Sequence, residues 1–146
     1  MATLWETCKC GGKLQIGVSQ YGRDERLRWS ESVSCSGCSE RYEADGSGLA
    51  GEKARAAIMA EAGQWVLAAT DGASRARIVV RLRELLGFGL REASSLMALM
   101  PGDIVHGTPV EMQWLSRQVN AKCGNVTSVR PGTGGLSIAE IGVLIR

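Results

Sequence analysis

The chain has 146 residues, 45% apolar and 22% charged, enough for one ordinary domain or for a small domain beside a very small one. With 17 Lys and Arg against 15 Asp and Glu the net charge is +2, too little to argue by itself for nucleic acid or a membrane surface. The longest nearly uncharged stretch is broken by glycines and too short to span a bilayer, and the opening MATLWETCKC has no basic region leading into an apolar block, so a cytoplasmic location is expected.

In that compartment, paired cysteines hold metal more often than they form disulfides. Four of the five cysteines fall in two clusters, Cys8-Lys9-Cys10-Gly11-Gly12 and Cys35-Ser36-Gly37-Cys38. Between them Leu14–Val18 and Arg28–Val33 read as strands, joined by a turn across Gln20 to Arg26. Two cysteine knuckles joined by a β-hairpin resemble a zinc ribbon. The resemblance implies one structural Zn2+ held by Cys8, Cys10, Cys35 and Cys38, stapling a segment of about forty residues too small to bury a core of its own. The first knuckle is C-x-C where ribbons carry C-x-x-C, so its amide-to-sulfur pattern must differ. The plainer alternative is four free thiols on an ordinary hairpin. Four cysteines close a tetrahedral shell and leave no position for water, so a catalytic zinc is not expected. Arg23, Arg26, Arg28 and Trp29 suggest a nucleic-acid surface, but Asp24, Glu25 and Glu31 interleave with them in sequence, and nucleic acid is not the expected partner.

The ribbon is assigned to residues 1–44. Residues 45–63 read as a glycine-rich linker and a connecting helix, Glu52 to Ala62, built from strong helix formers and ended by Gly63. Gln64–Thr70 is the next strand. Ser74 then stands as an N-cap, and Ile78, Leu82, Leu85 and Leu86 recur at helical spacing, with Arg75, Arg77, Arg81 and Arg83 forming a cationic side. Gly87-Phe88-Gly89 ends that helix. A second helix with Leu90, Ala93, Leu96, Met97 and Met100 follows and stops at Pro101. Asp103–Gly107 is a short strand. Thr108-Pro109-Val110-Glu111 carries a full start signal for a third helix, with apolar Met112, Leu115, Val119 and Trp114, ended by Gly124. Asn125–Arg130 closes the series as a strand. Within it Cys123 is read as a partly buried structural thiol and His106 as a strand-end or core histidine. The order β-α-α-β-α-β predicts a sandwich with a three-stranded sheet and helices on one face, so the expected class is α+β.

The residues Asp71-Gly72-Ala73-Ser74 and GFGLREA (Gly87, Gly89, Leu90, Arg91, Glu92, Ala93), with the helix 109–122 and the strand 125–130, make residues 64–130 resemble the C-terminal domain of the bacterial ribosomal stalk protein. The adaptor that feeds N-degron substrates to the Clp protease shares that fold. The resemblance implies a partner face on the first helix and the glycine corner. Carried over by position, the face comprises Arg75, Val79 and Arg83, with Gly87, Phe88 and Gly89 at the corner. Two lysines of the stalk's contact set fall on Val80 and Ser94 here, which removes half of its cations. The stalk's dimerising region is also replaced by the ribbon, so this chain is not a stalk subunit.

Residues 131–146 read as a flexible glycine hinge, Pro131–Gly135, and a short apolar helix opened by a second capping box at Ser137 and Glu140 and running from Ile138 to Ile145. Folding back onto its own domain is the expected course; docking into a partner is the alternative. One histidine, no phosphate-binding loop and no nucleophile with an evident base leave no enzymatic constellation. The expected function is therefore protein binding: an inhibitor or immunity protein that neutralises a cognate bacterial toxin, with imitation of a translation component as one way to do so. The alternatives are an adaptor for translational GTPases, the ribosome or a protease machine, and a nucleic-acid-binding ribbon.

Overall fold

The computed structural model describes residues Met1–Arg146. The chain divides into two compact units, Met1–Ala62 and Gly63–Arg146.

The first unit is a four-stranded antiparallel meander, β1 (Ala2–Thr7), β2 (Lys13–Arg23), β3 (Arg26–Cys35) and β4 (Arg41–Ser47), in the order β1-β2-β3-β4. It is larger than the expected hairpin. The turn expected across Gln20 to Arg26 is only Asp24-Glu25, both at positive φ (52° and 62°), and Arg23 pairs with Arg26 beside it. A two-residue turn with φ positive at both positions matches the twist of the flanking strands, so the ladder runs to the tip. The pleat then sorts the side chains. Leu14, Ile16 and Val18 face the same way as Val33 and Trp29, and on that face they pack against Ala54 and Ile58 of α1 (Glu52–Ala62). Helix α1, expected as a connector, thus packs on β1 and β2 and completes the core of this unit. Trp29 lies across from Gly46, where a Cβ would come within 2.6 Å of the indole, so only glycine leaves room for the ring.

The second unit follows the order β5 (Trp65–Ala69), α2 (Arg75–Leu86), α3 (Leu90–Leu99), β6 (Gly102–Gly107), α4 (Pro109–Cys123) and β7 (Thr127–Pro131). Its sheet has four strands rather than three, in the order β7-β5-β6-β8, because β8 (Leu136–Ser137) adds in parallel beside β6. Helix α4 packs across β5, β6 and β7, and α2 packs on α4. Ile78, Leu82 and Leu86 of α2, Leu96 of α3, and Met112, Leu115 and Val119 of α4 are fully buried, as helical spacing requires. Leu90, expected on the apolar face of α3, instead points to solvent at 74% exposure.

The start signals are satisfied as written. Ser74 Oγ accepts from Arg77 N at 3.4 Å, and Gly87 closes α2 in the left-handed region at φ 80°. Thr108 and Glu111 make a reciprocal capping box, with Glu111 N donating to Thr108 Oγ1 at 3.2 Å and Thr108 N to Glu111 Oε1 at 2.9 Å. Asn120, which no sequence pattern singled out, ties the end of α4 to β7. Its Oδ1 accepts from Thr127 N at 3.0 Å and Thr127 Oγ1 at 2.8 Å, and its Nδ2 donates to Thr127 O at 3.1 Å.

The expected glycine hinge is a packed strap. β7 and β8 lie on opposite edges of the sheet, three strand spacings or about 14 Å apart, and the five peptide steps between Pro131 and Leu136 reach about 17 Å at most. The segment is therefore nearly taut over the sheet. Gly132 N donates to Gln64 O at 3.0 Å, and His106 Nδ1 meets Gly134 O at 3.3 Å. Glycine is required because the backbone lies flat: a Cβ on Gly132 would come within 3.1 Å of Val66, and one on Gly135 would run into the Ile104 carbonyl. Behind the strap the chain folds back. It forms only one helical turn, α5 (Ile138–Ile141), then a 3-10 turn, Val143–Ile145, and Ser137 makes no side-chain cap. Ile138 and Ile141 are buried, and no helix in the chain is long and apolar enough to cross a membrane.

Candidate functional site

The turns β1–β2 and β3–β4 lie at the same end of the first sheet, opposite the Asp24-Glu25 turn, because the meander folds the chain back after each strand. This brings Cys8 and Cys10 of one turn to Cys35 and Cys38 of the other, with all four sulfurs within 4.8 Å of one another. Two pairs cross between the knuckles at short range: Cys10 Sγ to Cys35 Sγ at 3.5 Å and Cys8 Sγ to Cys38 Sγ at 3.9 Å. Four thiolates about 2.3 Å from one ion stand about 3.8 Å apart in a tetrahedron, so the cluster has the size of a four-sulfur metal site. The donor set fits a structural metal.

Each knuckle is shaped by its own backbone. In the first, Cys8 N donates to Gly12 O and Gly11 N to Cys8 O, both at 2.9 Å, which folds C-x-C-G-G into a tight loop. In the second, Cys35 N donates to Glu40 O and Ser36 N to Lys13 O, both at 3.1 Å, docking the loop on the neighbouring strand. Gly12 N points at Cys10 Sγ (3.4 Å) and Gly37 N at Cys35 Sγ (3.3 Å). The Cys10 and Glu40 amides serve Cys8 and Cys38 in the same way, so each sulfur meets the amide two residues on and the shorter C-x-C knuckle keeps the same amide-to-sulfur pattern as C-x-x-C.

The thiols titrate as a cluster. The Gly37 amide draws Cys35 down to about 7, with hydrogen bonds from Cys10 and Cys38 adding to it. Cys38 is pushed up to about 12: the Glu40 amide favours its thiolate, but the neighbouring Cys35 and Cys10, together with burial, outweigh that. Cys8 also rises, since burial and its thiol neighbours outweigh the Cys10 amide. Adjacent sulfurs cannot all ionise side by side without a cation among them, and a divalent ion supplies that charge.

The second unit disposes its expected partner residues less simply. Val79 is 8% exposed and Phe88 2%, so both are core residues. The apolar side chain that α2 turns outward is Val80. Gly87 lies under Leu144 of the C-terminal turn, where a Cβ would come within 2.5 Å of Leu144 Cγ. Gly89 is exposed and begins α3, its amide donating to Glu92 Oε2 at 3.1 Å.

The cationic side of α2 is largely engaged with this unit's own carbonyls. Arg77 donates to Lys122 O and Arg81 to Gln118 O, both at 3.1 Å, so two guanidinium groups cap the C-terminal end of α4. Arg83 Nε donates to Phe88 O at 3.1 Å and holds the glycine corner closed. Glu84 sits between Arg81 (3.1 Å) and Lys122 (3.5 Å), whose charges lower its carboxyl below the usual range, Arg81 foremost. Arg75 stands exposed at the opening of α2. Around the corner, Leu90, Val143 and Leu144 are exposed apolar side chains. Cys123 is half-buried with Sγ 3.8 Å from Arg77 O, and His106 holds the strap; neither has a partner for acid–base or nucleophilic chemistry.

No protein-family model, curated protein or solved structure matches the chain.

Proposed function

We propose that this chain is a non-enzymatic protein-binding module. One zinc ion on Cys8, Cys10, Cys35 and Cys38 holds its first unit, and the second unit, stalk-like in its order of elements, meets a protein partner. The observation that carries the reading is the group of exposed apolar side chains at and beside the glycine corner, Leu90 at 74% and Leu144 at 66% exposure, on a unit whose interior is otherwise closed. Apolar side chains gathered at one corner mark a contact surface more often than an idle one. Zinc is the reading for the metal because four thiolates in a tetrahedron suit a soft, redox-silent divalent ion.

The partner we propose is a cognate bacterial toxin, inhibited by direct binding. What favours an inhibitor over a stalk-type adaptor is the engagement of Arg77, Arg81 and Arg83 with backbone carbonyls, together with Val80 and Ser94 at the lysine positions. A surface built this way offers apolar contact in place of a cationic row. The adaptor reading keeps Arg75 and the half-free Arg83 as its support.

The test is a pull-down of the tagged chain from its native cytosol at moderate salt, with metal assayed on the same sample. One equimolar partner whose toxicity the chain suppresses is expected. Leu90→Asp and Leu144→Asp should each weaken its capture at least about tenfold, as loss of an apolar anchor does. Recovery of elongation factors or ribosomes, lost on Arg75→Glu, would replace the inhibitor with the adaptor. Zinc well below one per chain would overturn the metal assignment.

A further inference from the structure

We infer that the face of the first sheet turned away from α1 docks single-stranded nucleic acid. In sequence, acidic residues interleave with the arginines of the hairpin and cancel them. The pleat takes Glu31 away from them, while Asp24 and Glu25 stay in the turn at the tip. Glu31, paired with Val18 and Ala44, shares the α1 side with Ile16 and Val33, as does Glu6, paired with Leu14. Alternation places Lys13, Arg26, Arg28 and Arg41 on the opposite side, and none of them has an ion pair. Arg28 Nε lacks any acceptor as well. The strand acids on that side are Glu43 and Asp45, both on the edge strand β4, and the turn adds Asp24, paired with Arg23 at 3.8 Å, and Glu25; against Lys13, Arg23, Arg26, Arg28 and Arg41 the face keeps a small excess of positive charge.

The same face carries exposed aromatics. Trp5, 59% exposed, opens a row that runs in register across all four strands, Trp5–Gln15–Ser34–Arg41. Tyr21 stands opposite Arg28 near the other end of the sheet, six residues or about 20 Å along β2. Between the rings the floor is Gly17, Ser19, Ser30 and Ser32, with the Met1 side chain resting on Gly17. A flat floor of hydroxyls and glycine, aromatic rings at its ends and unpaired cations across it suits bases stacking on rings while phosphates meet guanidinium groups. Rings standing singly this way stack on unpaired bases, which a duplex keeps inside. A protein interface would need a contiguous apolar centre, and this face has none.

The test uses the zinc-loaded full chain and a fluorescently labelled oligothymidylate of about fifteen nucleotides, read by anisotropy. Micromolar binding at low salt is expected, with log K falling against log salt at a slope of about −2 to −3, the mark of three or four phosphates. Trp5→Ala and Tyr21→Ala should each weaken binding about tenfold, and Lys13→Glu with Arg41→Glu should flatten the slope, while zinc content and circular dichroism stay unchanged. These side chains are exposed, so the variants test contact and not folding; should one lose zinc, the others still decide. No binding at about a hundredfold higher concentration would overturn the proposal. So would equal competition by a duplex or by polyglutamate, or full affinity in both aromatic variants, since each would reduce the face to bare charge.

Discussion

Gly12 and Gly37 face each other where the two cysteine knuckles meet. A Cβ on Gly12 would come within 3.0 Å of Gly37 N, and one on Gly37 within 3.3 Å of Gly12 Cα and of Cys10 Sγ. The knuckles approach backbone to backbone, and that approach sets the spacing of the sulfurs. Gly12→Ala should push the knuckles apart and weaken the metal site by about tenfold to a hundredfold, the range for residues that orient ligands. Competition with a chromogenic chelator measures it. Gly11→Ala is the control for contact, since nothing lies within 4 Å of a Cβ there; its cost is confined to the backbone, at φ 86°.

Removing the metal should unfold the first unit and leave the second. The first unit's buried cluster is small (Ile16, Val18, Val33, Ala50 and Ala54), whereas the second carries its own larger core. Cys35→Ser, or chelator in excess, is expected to abolish amide-exchange protection across residues 13–47 while residues 65–131 stay protected. Loss of protection in both together would mean that the two units fold as one.

The strap makes a sharper test of the second unit. Gly135→Ala places a methyl group on the Ile104 carbonyl at φ 85°, combining backbone strain with overlap. A cost of about 2–4 kcal/mol is expected, and for a unit of this size a fall in Tm of about 10 °C or more. Gly72→Ala, at a similar φ but in open space, should cost about 1–2 kcal/mol from the backbone alone.

Asn120→Ala removes the side chain that closes α4 onto β7 and leaves the Thr127 amide and hydroxyl short of their shared acceptor. About 2–3 kcal/mol of stability should go with it. Asn120→Asp keeps the acceptor and loses the donor to Thr127 O and Ser116 Oγ, so chemical denaturation should place it between the two.

Glu84 gives a pH dependence with a defined sign. Its folded pKa lies below the unfolded value of 4.5 because Arg81 and Lys122 favour the charged form. Its contribution is therefore present above pH 4.5 and is lost as pH falls through the lower folded pKa. Glu84 is solvent-accessible, so the effect is small and screened by salt. Denaturation midpoints of Glu84→Gln and the parent should differ at neutral pH and converge below that range.

Local chemistry was legible along the chain. The four cysteines, the Thr108–Glu111 box, the Ser74 cap and the Gly87 stop each act within a few residues, so spacing alone announces them. The buried stripes of α2 and α4 followed from helical period for the same reason. What only the tertiary structure decided was where each of these local pieces meets something distant. The docking of α1 decides which face of the first sheet is covered, so that Glu31 lies on the core side and Arg28 on the open one. The packing of α2 on α4 turns Arg77 and Arg81 from a partner face into caps. The edge-to-edge crossing after β7 turns a glycine run from a hinge into a strap. Composition reports that a glycine is free or an arginine charged; the backbone or carbonyl that comes to lie against it belongs to a strand or helix tens of residues away, and folding selects it.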